Sequence, residues 1–229
     1  MILGRTDFMD KRKNYYLIID TETAGSIDKP LTYDIGFQII DKLGNIYEQK
    51  SYMIADYFIH NKELLESCYF CTKIPTYWQE LNENKHKLVR FITAYKILHE
   101  LIEKYNIKKV FAYNARFDYR ALNNTIHELS NGFITSFFPK GIEIHCIMKF
   151  SKQVLFTQKT FVKFATENQL FTPSGKWLSN TAETAKRYID FNPTYCENHT
   201  GLEDVKIETE ILLKCWKQHK TNDTLIVRV

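Results

Sequence analysis

Runs of apolar residues near the start of the chain predict three strands. Residues 15–19, Tyr-Tyr-Leu-Ile-Ile, form a continuous apolar run that is typical of a strand buried on both faces. Residues 32–40 and 45–54 predict two further strands, joined by a tight turn at 41–44. With the first strand they would form an antiparallel three-stranded meander.

The rest of the chain alternates between helical and strand patterns. Residues 87–105 predict a long amphipathic helix that leads into a short buried strand at 110–113. Residues 116–129 predict the next helix, and a short strand follows near 142–145. Further helices are predicted at 160–168, 181–189 and 201–216. This order of elements predicts an α/β fold, with a mixed five-stranded sheet flanked by helices on both faces.

Composition agrees with one large domain. The chain has 229 residues, of which 44% are hydrophobic, enough to bury a full core. We expect a single domain over residues 1–229, with its core at about 15–217, residues 55–84 as an insertion and 218–229 as a tail. No apolar run is long enough to span a membrane, and residues 1–14 do not resemble a secretion signal. Five cysteines without disulfide spacing favour a reducing cytoplasm.

Two acidic residues follow the first apolar run directly. Asp20 and Glu22 are two positions apart, so on a strand their side chains would point to the same side. Converging carboxylates repel each other unless a cation lies between them or one of them keeps a proton. Their hard oxygen atoms suit Mg²⁺ or Mn²⁺, which makes the pair a candidate metal site. The alternative is that Asp20 caps a turn.

A third acidic residue follows the predicted strand at 110–113. Asn114 is placed as a turn or cap residue, and Asp118 would lie in the first turn of the next helix. The positive end of a helix favours a negative charge there, so a purely local role is one interpretation. The position just beyond a strand end, where α/β sheets form their ligand crevices, favours a functional role.

The last candidate pair is His199 and Asp204. Thr200 and Glu203 have the spacing of a capping box, which predicts a helix that begins just after Thr200. Asp204 would then lie about one turn into the helix, and His199 in the loop before it. In that loop the imidazole would be free to reach a site that Asp204 also faces.

In this order Asp20, Glu22, Asp118, His199 and Asp204 resemble the DEDDh family of 3′–5′ exonucleases, which includes the proofreading subunit of bacterial replicative polymerase and stand-alone phage and bacterial exonucleases. The matching segments are Ile-Ile-Asp-Thr-Glu-Thr-Ala-Gly at 18–25, Tyr-Asn-Ala-Arg-Phe-Asp at 113–118 and His-Thr-Gly-Leu-Glu-Asp at 199–204. The family often has Thr at the position of Ala24 and His at the position of Tyr113.

The resemblance implies a ribonuclease H-like fold and phosphodiester hydrolysis assisted by two Mg²⁺ or Mn²⁺ ions. Asp20 would bridge the ions, Glu22 and Asp204 would complete the tighter site, and Asp118 would hold the second ion. His199 would be the general base that takes a proton from the attacking water. The residues expected to contact the substrate are Thr21, Thr23, Ala24, Asn114 and Phe117.

The implied substrate is the 3′ end of a single nucleic-acid strand, with DNA favoured over RNA, and the product is nucleoside monophosphates. An exonuclease for RNA oligonucleotides and a non-catalytic binding module for nucleic acid or protein are the alternatives. A proofreading role would require a polymerase or another replication partner. The net charge of +4 permits a nucleic-acid partner without requiring one. Candidate phosphate contacts include Lys11, Arg12 and Lys13.

Two features leave further alternatives open. Cys68 and Cys71, together with Cys196 and His199, have the ligand types and local spacings of a structural zinc site, which would remove His199 from catalysis. The stretch 55–83 is rich in aromatic residues, which would either stack on unpaired bases or form a small additional core. Phe117 has the same two interpretations.

Overall fold

The structure, a computed structural model, describes residues 10, 12–197, 199–218 and 224–229. Positions 1–9 and 11 of the segment tested for a secretion signal lie outside these residues, and Lys11 was also a candidate phosphate contact. Asn198 in the Cys-x₂-His motif and positions 219–223 of the predicted tail lie outside them as well.

One mixed sheet of seven strands forms the centre of the described chain. The strands are β1 (Tyr15–Gly25), β2 (Pro30–Asp41), β3 (Ile46–Ile54), β4 (Lys87–Val89), β5 (Lys109–Ala112), β6 (Glu143–Cys146) and β7 (Leu225–Arg228). Their order in space is β4-β3-β2-β1-β5-β6-β7. The first three strands form the predicted antiparallel meander, and β5 and β6 continue the sheet in parallel with β1. The first strand is therefore central, with three strands on each side.

Nine α-helices are found in the described residues. They are α1 (Ala55–Phe58), α2 (Lys62–Glu66), α3 (Ile74–Asn82), α4 (Phe91–Lys104), α5 (Ala115–Leu129), α6 (Ile147–Val154), α7 (Lys159–Glu167), α8 (Ala182–Ile189) and α9 (Gly201–Lys217). A short 3₁₀ turn, Cys71–Lys73, precedes α3. None of the helices in the described part of the chain is long and apolar enough to cross a membrane.

The prediction of five strands was wrong, because the sheet has an additional strand at each edge. At one edge, β4 occupies the start of the segment that was predicted to be helical and pairs in parallel with β3. The helix begins only at Phe91, whose N–H donates to Asp56 Oδ2 at 2.7 Å. At the other edge, β7 from the chain end pairs antiparallel with β6. Periodicity alone does not show such short edge strands, because each one is completed by a distant partner.

The first strand is also longer than its apolar run. It continues through Asp20 and Glu22 to Gly25, because β2 pairs with it along this whole length. The pairing register shifts between Glu22 and Thr23, as at a β-bulge. The two acidic residues thus lie on a paired strand and not in a turn.

The two faces of the sheet pack against different helices. Leu17 and Ile19 belong to the larger buried cluster, which also includes residues of α4 and α5 such as Leu98 and Leu122. Ile18 points the other way, into a second cluster that contains Val205 of α9. Alternation along a strand places the side chains of residues 20 and 22 on the same face as Ile18. The first strand therefore directs Asp20 and Glu22 towards α9.

Candidate active site

A cavity of about 560 Å³ opens beside β1, α5 and α9. Nine of the ten residues predicted from the sequence for catalysis, metal binding or substrate contact line it: Asp20, Thr21, Glu22, Thr23, Asn114, Phe117, Asp118, His199 and Asp204. The exception is Ala24, which lies in the hydrophobic core. Three segments that are far apart in sequence therefore meet at one place.

The first strand supplies Asp20 and Glu22. Burial raises the pKa of both carboxyl groups well above their ordinary values. The negative charge of Glu208 adds to this increase for Asp20, and that of Asp204 does so for Glu22. Neighbouring carboxylates therefore make it costly to ionise this site in the absence of a cation.

Asp118, in the first turn of α5, is held against the first strand. Its Oδ1 accepts hydrogen bonds from the Thr21 hydroxyl at 2.9 Å and from the Thr21 backbone N–H at 3.2 Å. Burial raises the pKa of Asp118 to about 7, although these hydrogen bonds favour the ionised form. Thr21, which was predicted to contact substrate, therefore orients a carboxylate.

The start of α9 brings His199 and Asp204 together. His199 Nδ1 lies 3.9 Å from Asp204 Oδ2 and 3.9 Å from Glu197 Oε2. Burial lowers the pKa of His199, which keeps the imidazole neutral near pH 7. Burial, followed by the charge of Asp34, raises the pKa of Asp204 to about 7.

The predicted capping box does not form as expected. Thr200 is the N-cap residue with extended backbone angles, but its side chain makes no capping hydrogen bond. Instead, Asp34 Oδ2 on β2 accepts the Gly201 N–H at 2.9 Å. Glu203 Oε1 accepts a hydrogen bond from Lys206. The helix that carries Asp204 is thus capped from the sheet and not by its own sequence.

A close contact between two glycines fixes the same helix end on the sheet. A Cβ atom added to Gly36 on β2 would lie 2.0 Å from the Gly201 carbonyl carbon. Gly36 pairs with Asp20 across β1 and β2, so this contact places the start of α9 directly beside the first catalytic candidate. Only residues without a side chain allow this approach.

The donor set fits a divalent cation. Ligand atoms of Glu22, His199 and Asp204 all lie within 4.8 Å of one another. Three residues that line the cavity each have a buried carboxylate oxygen with no hydrogen-bond partner among the described residues: Asp204 Oδ1, Glu197 Oε1 and Glu208 Oε2. Buried oxygens without partners are costly, and carboxylates are the ligands that Mg²⁺ and Mn²⁺ prefer.

Two of these residues, Glu197 and Glu208, were not predicted. Burial raises the pKa of Glu197 to about 8, with a further contribution from the charge of Asp204. Glu208 lies on α9 one turn after Asp204, and burial raises the pKa of its carboxyl group well above the ordinary value. The spacing of four residues on a predicted helix was the available signal, because it places both side chains on one helix face.

The stretch 55–84 contributes an aromatic rim to the cavity, formed by Tyr69 and Phe70. Phe70 stacks on the His199 ring, with 4.2 Å between ring centroids and 15° between planes. The Tyr69 side chain is 90% exposed. Phe58 and Tyr77, by contrast, are fully buried. The aromatic residues of this stretch therefore divide between core and cavity.

The structure does not support the zinc site. Cys68 is buried and Cys196 is exposed. In the described part of the chain, the group of candidate metal ligands around His199 consists of carboxylates and contains no cysteine.

Two of the basic residues that were predicted to contact phosphate instead form ion pairs within the chain. Arg12 pairs with Asp10, and Lys13 pairs with Asp41.

Comparisons with known proteins support the fold. No protein-family model matches the sequence, and no curated protein matches it. Two solved structures of Exonuclease I from E. coli are similar. A complex with a dT13 oligonucleotide has a TM-score of 0.54 at 12% identity and covers 90% of this chain. A zinc-bound complex with single-stranded DNA has a TM-score of 0.51 at 13% identity and covers 91%.

In both comparisons the match covers 42% of the Exonuclease I chain, so this chain spans less than half of that protein's length. At such low identity the likeness shows the fold alone. The chain has the ribonuclease H-like α/β fold that E. coli Exonuclease I also has.

Proposed function

We propose that this chain is a metal-dependent 3′–5′ exonuclease that removes nucleoside monophosphates from the 3′ end of single-stranded DNA. The observation that carries the proposal is the cavity itself. It brings Asp20, Glu22, Asp118, His199 and Asp204 together on a fold shared with a nuclease whose structures hold single-stranded DNA.

In this proposal, Asp20, Glu22, Asp118 and Asp204 hold two divalent cations. Such ions lower the pKa of water and stabilise the negative charge that develops on the phosphate and the leaving oxygen. Thr21 keeps the Asp118 carboxylate in place through its two hydrogen bonds. Burial on β1, α5 and α9 keeps the four carboxylates preorganised before substrate binds.

His199 is the proposed general base. Its Nδ1 is placed towards the carboxylates, 3.9 Å from Asp204 Oδ2, where it would accept the proton of a water molecule held among them. The lowered pKa supports this role, because the imidazole stays unprotonated at neutral pH. Phe70 stacks on the His199 ring, and Tyr69 packs edge-on against Phe70, so both rim residues lie beside the proposed general base.

The rim also supports a single-stranded substrate. Unpaired bases expose flat faces that stack on aromatic rings, and this form of binding depends little on base identity. Tyr69 is exposed at the cavity, and Phe117 lines it from the first turn of α5. A terminal base would therefore meet aromatic surface while its phosphate meets the carboxylate side.

The test is degradation of matched 5′-labelled single-stranded DNA and RNA in Mg²⁺, Mn²⁺ or EDTA. We expect a metal-dependent ladder that shortens from the 3′ end, with DNA cut faster than RNA. His199→Ala should lose most of the activity, whereas His127→Ala should not, because His127 is exposed on α5 and does not line the cavity.

Faster cleavage of RNA would change the substrate assignment and leave the mechanism intact. Release of internal fragments from a circular single strand would instead indicate an endonuclease. Binding of either strand without cleavage in any metal would favour the non-catalytic binding module.

A further inference from the structure

Glu208 is a buried carboxylate on the cavity wall that the four-carboxylate pattern does not include. Only 3% of its surface is exposed. It lies four residues after Asp204 on α9, so both side chains leave the same face of the helix and both line the cavity. Of the charged groups around Asp20, Glu208 raises the Asp20 pKa the most.

The surroundings of Glu208 do not satisfy its carboxylate. The backbone N–H of Tyr113 donates a hydrogen bond to it, but the buried Oε2 has no partner in the part of the chain that the structure describes. The strongest charges that act on it are those of Asp118 and Asp204, which are both negative. A buried, unpaired oxygen among other carboxylates is unfavourable unless something electropositive binds there.

A purely structural Glu208 would make different hydrogen bonds. A protonated Glu208 would donate its O–H to a neighbouring acceptor, as buried carboxylic acids do. Among the described residues, Oε2 has no atom within hydrogen-bond distance that would accept this proton. Glu208 instead lines the cavity together with Asp20, Asp118 and Asp204.

We propose that Glu208 is a fifth carboxylate ligand of the metal centre, beside Asp20, Asp118 and Asp204. The inference rests on the proposed function, because it assumes that the cavity binds divalent cations. With Glu208, five carboxylates face two cations that carry four positive charges. The site would therefore hold both cations before a negatively charged strand arrives.

The test measures metal binding without nucleic acid, so it does not depend on activity. Mn²⁺ is titrated into the full chain by calorimetry, and free Mn²⁺ is counted by electron paramagnetic resonance. We expect Glu208→Gln to bind Mn²⁺ at least about tenfold more weakly, since even outer-sphere changes weaken metal sites by roughly 10–100-fold. Glu210→Gln is the matched control, because Glu210 is exposed on the same helix and pairs with Lys186.

The outcomes separate this inference from the proposed function. If the unaltered chain binds no Mn²⁺, both are overturned. If it binds Mn²⁺ and Glu208→Gln binds it equally well, only the role of Glu208 is overturned. If Glu208→Gln does not fold, a crystal structure of the unaltered chain with Mn²⁺ decides: we expect a Glu208 oxygen within about 2.5 Å of an ion, and its absence would refute the proposal.

Discussion

On one side of the cavity the side chains are carboxylates carried by β1, α5 and α9, whereas on the other they are aromatic rings from the stretch between β3 and β4. The acidic side, formed by Asp20, Glu22, Asp118, Asp204 and Glu208, is largely buried and lies on long, regular elements. The aromatic rim, Tyr69 and Phe70, lies between two short helices and is open to solvent at Tyr69.

Under the proposed function, this difference separates two tasks. Groups that hold cations must keep their geometry, and packed strands and helices fix side chains more closely than loops do. Groups that contact a variable substrate benefit from an adaptable surface segment. Phe70 connects the two sides, because it stacks on His199. Substitutions on the acidic side should therefore abolish chemistry, and those on the rim should mainly weaken substrate binding.

The largest expected effect is on the acidic side. Asp20→Asn should reduce turnover below detection, because the site loses a charged ligand on the central strand. The same change should leave the melting temperature in EDTA unchanged or raise it, since it relieves repulsion from Glu208 and Asp118. Turnover and thermal melting are measured in parallel, with Asp190→Asn on the surface as the control. Near-normal turnover in Asp20→Asn would contradict the site assignment.

His199→Ala should produce the next largest loss. Removal of a general base lowers the rate by roughly 10²–10⁴-fold. We expect Mn²⁺ binding to persist, because the carboxylates remain, and single-turnover kinetics with a calorimetric titration checks both parts. Unfolding accompanied by zinc release would instead favour the cysteine and histidine zinc site.

Tyr69→Ala should test the rim by itself. Loss of base stacking on one aromatic ring costs about 1–3 kcal/mol, so we expect KM to rise roughly 5- to 150-fold with kcat little changed. Phe133→Ala is a suitable control, since Phe133 is equally exposed but does not line the cavity. An unchanged KM with a reduced kcat would show that the two sides of the cavity do not divide the tasks as described.

The smallest expected effect is a pH dependence of stability in the metal-free chain. The folded state raises the pKa of Asp118 and Asp204 to about 7 from an ordinary 3.8. Their contribution to stability is complete below the unfolded pKa and is lost as pH rises through about 7. His199 has the opposite sign, because its lowered pKa removes stability as pH falls below its ordinary value of 6.5.

Since several carboxylates oppose one histidine, we expect the melting temperature in EDTA to be a few degrees higher near pH 5.5 than near pH 8. Mn²⁺ should restore the lost stability at the higher pH, because it binds the ionised carboxylates. Thermal melts at both pH values, with and without Mn²⁺, check this. A higher stability at alkaline pH without metal would contradict the view of the acidic side as a site of unrelieved repulsion.

The local sequence was sufficient for most elements whose pattern is self-contained. The apolar run at 15–19, the meander and the helices at α5 and α9 appear where their periodicity predicted them. The strands β4 and β7 were missed as definite elements because they are short and exist through pairing with β3 and β6. The capping hydrogen bond predicted for Thr200 is absent at the start of α9, where the Gly201 N–H donates instead to Asp34 on β2.

The sequence alone determined which residues are chemically suited to the site, because Asp20, Glu22, Asp118, His199 and Asp204 stand in a recognisable order. Only the tertiary structure decided which other side chains join them. Glu208 lines the cavity because of the way α9 is oriented on the sheet, and Phe70 does so because its stretch packs on His199. Ala24 points away from the cavity because the pairing register of β1 shifts just before it. Side-chain type is a local property of the chain, whereas proximity depends on the folding of segments more than a hundred residues apart.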